Sequence, residues 1–143
     1  SIVKKMKKKK YDKTYLNLIE KINDIAGIRI VCTLKDDIFF IRDLVKQIPD
    51  IHVLKEKDYV TNPKESGYSS YHMIVEVPVK LTQKTIYVKC EIQIRTLAMD
   101  FWASFEHKVK YKTKNDVNPK MSKELVSCAK MINKFDTKMI NYK

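Results

Sequence analysis

The stretch YVKCEIQIRT, residues 87–96, alternates apolar and polar side chains without interruption. This period of two is typical of a β-strand, whose successive side chains point to opposite faces of a sheet. The apolar face carries Val88, Cys90, Ile92 and Ile94. The polar face carries Lys89, Glu91, Gln93 and Arg95. A solvated outer surface would explain the polar face, and so would a binding site for a charged substrate.

The segment YHMIVEVPV, residues 71–79, alternates in the same way and is joined to the first stretch by the short turn LTQK. Two alternating strands with so short a connection predict an antiparallel hairpin. If the turn centres on the middle of LTQK, His72 lies opposite Gln93 and Ile74 lies opposite Glu91. The polar side chains that this register brings to one face are His72, Glu91, Gln93 and Arg95.

The rest of the chain mixes helical and strand patterns, which predicts an α+β fold with a mixed β-sheet of about five strands flanked by helices. The segment GIRIVCT (27–33) has the β-branched, apolar composition of a buried strand, and a further strand is predicted around 51–60. Apolar spacing predicts helices over residues 13–27, 36–48 and 97–112. The stripe predicted to be buried on the third helix comprises Ala98, Phe101, Trp102, Phe105 and Val109.

A last helix is predicted to begin at Asn118 and Pro119, which suit the cap and first-turn positions, and to run to about Tyr142. Its apolar stripe comprises Leu125, Ala129, Ile132, Phe135 and Met139. Earlier helices already supply cover for the sheet, so this stripe is expected to be exposed and to contact a partner subunit. We therefore divide the chain into one domain over residues 1–115 and a C-terminal helix over residues 116–143.

Composition narrows the classes of function. The chain has 143 residues, enough for one domain, and a net charge of +12, which favours nucleic acid, a polyphosphate or an anionic membrane surface as partner. Lysines that only maintain solubility are the simpler alternative. No apolar stretch is long enough to cross a bilayer, and of these classes a membrane is not the expected partner. The three cysteines lack CxxC spacing, which indicates reduced thiols and a cytoplasmic location.

Two carboxylates stand out by position, because Asp24 precedes the strand at 27–33 and Glu91 lies in the middle of the polar face. Carboxylates from neighbouring strands suit Mg²⁺, which completes its coordination with water and substrate phosphates. Cations that could neutralise phosphate oxygens are Arg29, Lys55, Lys57, Lys64, His72 and Arg95. Together they predict a phosphoryl-type transfer without a P-loop. A surface ion pair for Glu91 and a helix-terminal turn for Asp24 are the simpler alternatives.

Five motifs follow one another in a fixed order: DIAGIRIVC (24–32), KEKDY (55–59), NPKESGYSSYH (62–72), EIQIRT (91–96) and AMDFWASFEHKVKYK (98–112). Together they resemble the synthetase domain of the RelA/SpoT family, above all its single-domain members, the small alarmone synthetases. The resemblance implies a nucleotidyltransferase-like domain and a C-terminal oligomerisation helix, as in a homotetramer. It also implies transfer of the β,γ-pyrophosphate of ATP to the 3′-hydroxyl of GTP, GDP or GMP, which makes (p)ppGpp and AMP in the stringent response.

The same resemblance implies roles for individual residues. Asp24 and Glu91 would hold Mg²⁺, and Glu91 would also be the base for the 3′-hydroxyl. Tyr68 would stack on guanine. The other guanosine-nucleotide ligands implied are Lys64, His72 and Gln93. The ATP ligands implied are Arg29, Lys57, Lys5 and Lys8, and Arg95 and Lys55 are further candidates.

The chain departs from the family pattern in two places. Ser69 stands where short members commonly carry an arginine, and a segment that closes over adenine is expected to be missing before Ser1. Two other functions remain open on the same residues. One is pyrophosphorylation of the 3′ end of tRNA, and the other is a nucleotide sensor without catalytic activity.

Overall fold

The computed structural model of the chain describes residues 26–143. Four strands within this range are β1 (Ala26–Cys32), β2 (His52–Asp58), β3 (Tyr71–Lys80) and β4 (Thr85–Thr96). Three α-helices are α1 (Lys35–Lys46), α2 (Leu97–Lys112) and α3 (Pro119–Met139), and a short 3₁₀ turn follows at Ile140–Tyr142. The predictions for Lys5, Lys8, Asp24 and residues 13–25 of the first predicted helix lie outside the described residues, and the last two residues predicted to be helical, Ala26 and Gly27, belong to β1 instead.

The four strands form one mixed sheet in the order β1-β4-β3-β2. β1 runs parallel to β4, while β3 is antiparallel to both β4 and β2. The predicted α+β class and mixed sheet are therefore confirmed. Within residues 26–143 the sheet has four strands rather than the predicted five or so.

The hairpin of β3 and β4 has the predicted register. His72 pairs with Gln93, and Ile74 pairs with Glu91. The connecting turn is closed by a hydrogen bond of 2.7 Å from the backbone N–H of Leu81 to the carbonyl oxygen of Lys84. Because strand side chains alternate, this register fixes which residues of both strands face the core.

The apolar face of the sheet and helix α1 form the hydrophobic core. Buried strand residues include Tyr71, Met73, Val75, Cys90, Ile92 and Ile94. From α1, Ile38 and Val45 pack into the same cluster. Cys90 is buried and Cys32 is half-buried, both as free thiols, and burial raises the pKa of Cys32 to about 11. The core is therefore built on the face that the alternation predicted.

Two predictions of burial are wrong. β1 is an edge strand of the described sheet, and Ile28 remains 52% exposed, so it is not a fully buried strand. On α2 the buried residues are Met99 and Trp102, whereas Phe101 is 71% exposed and Phe105 is also exposed. The buried face is therefore displaced from the predicted stripe, of which Trp102 alone is fully buried, and the helix is capped by Thr96, whose side-chain oxygen accepts from the backbone N–H of Met99.

Helix α3 packs on α2 within the same chain, which corrects the expectation that its whole stripe is exposed. Leu125 is buried, and its carbonyl oxygen accepts a hydrogen bond of 2.9 Å from Nε1 of Trp102. Asn118 caps the start of α3, as predicted, by accepting from the backbone N–H of Met121. Phe135 is the stripe residue that stays exposed, at 55%. None of the helices in the described part is long and apolar enough to cross a membrane.

Candidate active site

Three adjoining recesses cross the polar face of the sheet. The largest, about 480 Å³, lies between the sheet and α2 and is lined by Arg29, Tyr68, Gln93 and Arg95 among others. The second, about 290 Å³, shares Arg29 and Gln93 with it and also reaches Glu91. The third, about 110 Å³, lies toward β2 and is lined by Lys55, Glu56, Lys57, His72, Ile74 and Glu91. Glu91 is therefore at the junction of two recesses, in the middle of a basic groove.

The groove is organised by alternate residues of β4. Glu91, Gln93 and Arg95 share one face, and the parallel register of β1 brings Gly27 opposite Glu91 and Arg29 opposite Gln93. Glycine at position 27 leaves open space above its backbone among residues 26–143, since an added Cβ would meet no atom of this part of the chain within 4 Å. The backbone thus presents an accessible floor beside the central carboxylate.

Hydrogen bonds connect the three polar side chains of β4 in a row. Arg95 is only 2% exposed, and its Nη2 donates to Oε1 of Gln93 and, at 2.9 Å, to the hydroxyl oxygen of Tyr68. Nε2 of Gln93 then donates to Oε1 of Glu91 at 3.1 Å. Asp100, from the first turn of α2, lies 3.4 Å from Nη1 of Arg95. Both terminal nitrogens of the Arg95 guanidinium thus donate to protein groups, Nη1 to Asp100 and Nη2 to Gln93 and Tyr68.

A second connection reaches Glu91 through His72. The Tyr68 hydroxyl accepts from Arg95, so its own proton can be donated to Nε2 of His72 at 2.9 Å. The network therefore assigns the imidazole proton to Nδ1, which faces Oε1 of Glu91 at 3.6 Å. Burial is the main cause that lowers the pKa of His72, and nearby Arg95 and the lysines add to the shift against the opposing effect of Glu91. The ring is therefore neutral near pH 7.

The loop that carries Tyr68 is held by a tight turn. The backbone N–H of Gly67 donates to the carbonyl oxygen of Lys64 at 2.8 Å, and the N–H of Lys64 donates to that of Tyr68 at 3.0 Å. Gly67 has a φ of +97°, a conformation that L side chains rarely adopt. Nζ of Lys64 lies 5.1 Å from the centre of the Tyr68 ring. The turn thus brings a cation and an aromatic ring together at the groove.

Among the site residues that the sequence analysis missed, two connect the predicted ones. Tyr59 contacts His72 and Tyr68 edge-on, with ring centres 5.4 Å and 6.3 Å apart, and supports both rings. Asp100 joins Arg29 and Arg95, with oxygen to nitrogen distances of 3.5 Å and 3.4 Å. The available signals were the last letter of KEKDY and an acid in the first turn after EIQIRT.

The structure brings most of the predicted residues together but does not separate them into the expected guanosine and ATP sets. Arg29, expected to bind ATP, lines the largest recess with Tyr68 and Gln93, while Lys57 lines the smallest one with His72. Ser69, which precedes β3, does not line any of the three recesses of the groove. It lines a small cavity against α3 instead.

The donor set in the described part does not form a closed metal site. Within residues 26–143, no group of three or more histidine, cysteine, aspartate or glutamate side chains could hold a metal ion. The hydrogen bond and the ion pair of Glu91 that this part contains both go to Oε1, so Oε2 is available. A single carboxylate in an open groove fits Mg²⁺, which is commonly bound by one or two carboxylates plus substrate phosphates.

Comparison with known proteins agrees with the geometry. A family model described as a region found in RelA / SpoT proteins matches residues 1–116. The chain belongs to the RelA/SpoT family. Within this family it is similar to GTP pyrophosphokinase YwaC of Bacillus subtilis, with 47% identity over 143 residues that cover all of this chain and 68% of that protein.

Solved structures of RelA/SpoT-family proteins share the fold. Small alarmone synthetase 2 from Bacillus subtilis is 45% identical with a TM-score of 0.87, over 99% of this chain and 73% of that one. Small alarmone synthetase 1 from the same species, bound to its product pppGpp, is 37% identical with a TM-score of 0.84, over 99% of this chain and 72% of that one. The chain thus spans about two thirds to three quarters of these relatives.

Proposed function

We propose that the chain is the synthetase region of a small alarmone synthetase, which transfers the β,γ-pyrophosphate of ATP to the 3′-hydroxyl of GTP or GDP. The observation that carries the proposal is the hydrogen-bonded row of Glu91, Gln93 and Arg95, which faces a basic groove together with Tyr68. The similarity to proteins named GTP pyrophosphokinase supports the same reaction.

The reaction is an in-line displacement at the β-phosphorus of ATP. The 3′-oxygen forms a bond to that phosphorus, and the bond from it to the α,β-bridging oxygen breaks, so that AMP leaves with the bridging oxygen. Glu91 takes the proton of the 3′-hydroxyl as general base. The amide of Gln93 donates to Oε1 of Glu91 and Nδ1 of His72 lies 3.6 Å from the same oxygen, so these two side chains would orient the carboxylate for that transfer.

The guanosine nucleotide is assigned to the recess lined by Tyr68 and Gln93. The Tyr68 ring offers a flat surface for guanine, and Lys64, whose Nζ lies 5.1 Å from that ring, offers a cation for the phosphates. His72 lies between this recess and the one lined by Lys57, where the two nucleotides would meet. This arrangement brings the 3′-hydroxyl toward Glu91.

The ATP side of the groove is assigned to cations on either side of Glu91. Arg29 pairs with Asp100 but is half exposed, so its planar guanidinium would stack on adenine, and Lys55 and Lys57 lie beside Glu91 at the smallest recess. Lys5 and Lys8 remain proposed phosphate ligands outside the described residues. Arg95 is assigned a positioning role because it is buried.

Mg²⁺ is proposed as the cofactor, held by Glu91 through Oε2 and by Asp24. Asp24 precedes Gly27 by three residues in the sequence, and Gly27 is the register partner of Glu91, which supports this pairing of carboxylates. When bound, the ion would neutralise charge on the pyrophosphoryl group and lower the pKa of the 3′-hydroxyl. A cytoplasmic location and a homotetramer assembled through residues 116–143 complete the proposal.

Product analysis tests this function. Purified protein is incubated with Mg²⁺ and ATP labelled at the γ-position, together with GMP, GDP, GTP or tRNA in separate reactions. The expected result is label in a 3′-pyrophosphorylated GDP or GTP, with one AMP formed per product. Label transferred only to tRNA would replace this function by the tRNA alternative. Nucleotide binding without any transfer would support a sensor instead.

A further inference from the structure

Helix α3 touches the loop that carries Tyr68, although it lies beyond residues 1–116, which the family region matches. A Cβ added to Gly67 would lie 2.6 Å from Cβ of Ala129 and 3.2 Å from Cζ2 of Trp102. Separations this small leave no room for a side chain at position 67. The residue directly before Tyr68 is therefore held in place by α3 and α2.

A second contact joins α3 to the residue after Arg95. Oγ1 of Thr96 donates to Oδ2 of Asp136 at 2.6 Å and accepts from the backbone N–H of Met99 at 3.1 Å. Thr96 is fully buried and Asp136 is 2% exposed, so the hydrogen bond between them is shielded from water and would be costly to lose. One hydroxyl group thus connects α3, the end of β4 and the start of α2.

The space between these contacts is closely filled. The cavity bounded by Gly67, Ser69, Trp102, Ala129 and Asp136 holds only about 10 Å³. Trp102 crosses the same interface, with its Nε1 bonded to the carbonyl oxygen of Leu125. A displacement of α3 therefore cannot be absorbed by empty space and must move the neighbouring segments.

We propose that α3 is a positioning element of the guanosine side of the site, with Ala129 and Asp136 as positioning residues for Tyr68 and Arg95. The inference rests on the proposed function, which assigns the Tyr68 recess to the guanosine nucleotide. Neither recess is lined by α3 itself, but α3 contacts Gly67, the neighbour of Tyr68 in the guanosine recess, whereas the recess with Lys57 and Glu91 is lined by residues of β2, β3 and β4. A shift of α3 therefore weakens guanosine-nucleotide binding more than ATP binding.

Overpacking at position 129 gives the sharpest test. Ala129→Leu adds volume directly against Gly67, whereas Ser127→Leu adds it at an exposed position of the same helix and serves as the control. Trp102 is the only tryptophan, so its fluorescence reports whether α3 is still docked. We expect Ala129→Leu to raise the KM for GDP about tenfold. The KM for ATP, and both constants of Ser127→Leu, should stay within about twofold of the parent values.

A docked Ala129→Leu protein with an unchanged KM for GDP would overturn the inference, and so would an equal rise in both KM values. If that variant does not fold, Thr96→Val is compared with Thr96→Ser, which keeps the hydroxyl. Valine should raise the KM for GDP selectively and serine should restore it, while equal values for the two would overturn the inference.

Binding and transfer measurements on the parent protein distinguish a failure of the proposed function from a failure of the positioning role. If the parent protein binds GDP in calorimetry but shows no transfer, the proposed function fails, and the positioning role is judged from the dissociation constants of the same variants. A weaker GDP affinity in Ala129→Leu than in Ser127→Leu would then support it. A parent protein that binds no guanosine nucleotide would overturn both.

Discussion

The two faces of β4 are made from alternate residues of one strand and differ in the interactions that hold their side chains in place. Cys90, Ile92 and Ile94 pack into the hydrophobic core beneath the sheet. Glu91 and Gln93 line the groove above it, and Arg95 is buried at its edge by bonds to other polar groups. Apolar burial is non-directional and tolerates exchange of one hydrocarbon side chain for another. Hydrogen bonds depend on particular atoms, so the polar face should tolerate far fewer substitutions than the apolar face.

The largest expected effect is on turnover. Glu91→Gln keeps the size of the side chain but removes the base, so kcat should fall by about 100- to 10,000-fold. The free energy of unfolding should barely change, since Glu91 is half-buried and outside the core. Ile92→Val, on the opposite face of the same strand, is the control and should retain turnover. A Glu91→Gln protein with parental kcat would remove the catalytic assignment of this face.

Substitutions on the apolar face of β4 should instead lower the free energy of unfolding. Ile94 is completely buried, so Ile94→Ala is expected to lower the free energy of unfolding by about 2–5 kcal/mol, as measured by urea denaturation. Val79→Ala, near the exposed end of β3, is the matched truncation and should cost much less. Equal losses at the two positions would mean that the core does not lie where the structure has it.

Two substitutions of Tyr68 distinguish the contribution of its ring to GDP binding from that of its hydroxyl group. Tyr68→Ala removes the stacking surface and should raise the KM for GDP about ten- to hundredfold, with little change for ATP. Tyr68→Phe keeps the ring but loses the bonds to Arg95 and His72, so its effect on this KM should be smaller. Steady-state kinetics with each nucleotide varied in turn measures both. A larger effect for phenylalanine than for alanine would contradict the stacking role.

The smallest expected effect is on the pH dependence of the free energy of unfolding. Burial lowers the pKa of His72 below the usual 6.5, so the unfolded chain takes up a proton that the folded protein resists. The free energy of unfolding should therefore decrease as pH falls through 6.5, and the contribution of His72 is fully present only above that value. His72→Gln should flatten this part of the profile, whereas His52→Gln, at an exposed histidine of the same sheet, should not. An unchanged profile in His72→Gln would contradict a neutral buried ring.

The hairpin was predictable because alternation and a short turn are local signals. Once the turn was placed, the partners of His72 and Ile74 followed, and with them the polar face. The buried face of α2 was not predictable in the same way. Its apolar residues lie on several sides, and the choice of Met99 and Trp102 over Phe101 depends on packing with α3.

The site residues that the sequence analysis missed were unpredictable for the same reason, because their contacts are distant in sequence. Tyr59 and Asp100 act through contacts with residues distant in sequence, such as Tyr68 and Arg29, which no local pattern reveals. The resemblance of motifs supplied the residues that face the substrates but not those that hold them. The docking of α3 against Gly67 likewise depends on two segments 62 positions apart, at residues 67 and 129.

The most direct test of the central claim is to follow ATP and GDP in the presence of Mg²⁺ with the parent protein and Glu91→Gln in parallel. The parent should form a 3′-pyrophosphorylated GDP and AMP in equal amounts, and the variant, folded to the same extent, should form both at least about 100-fold more slowly. Equal product from both proteins would contradict the account, since the polar face of β4 would then not carry the chemistry.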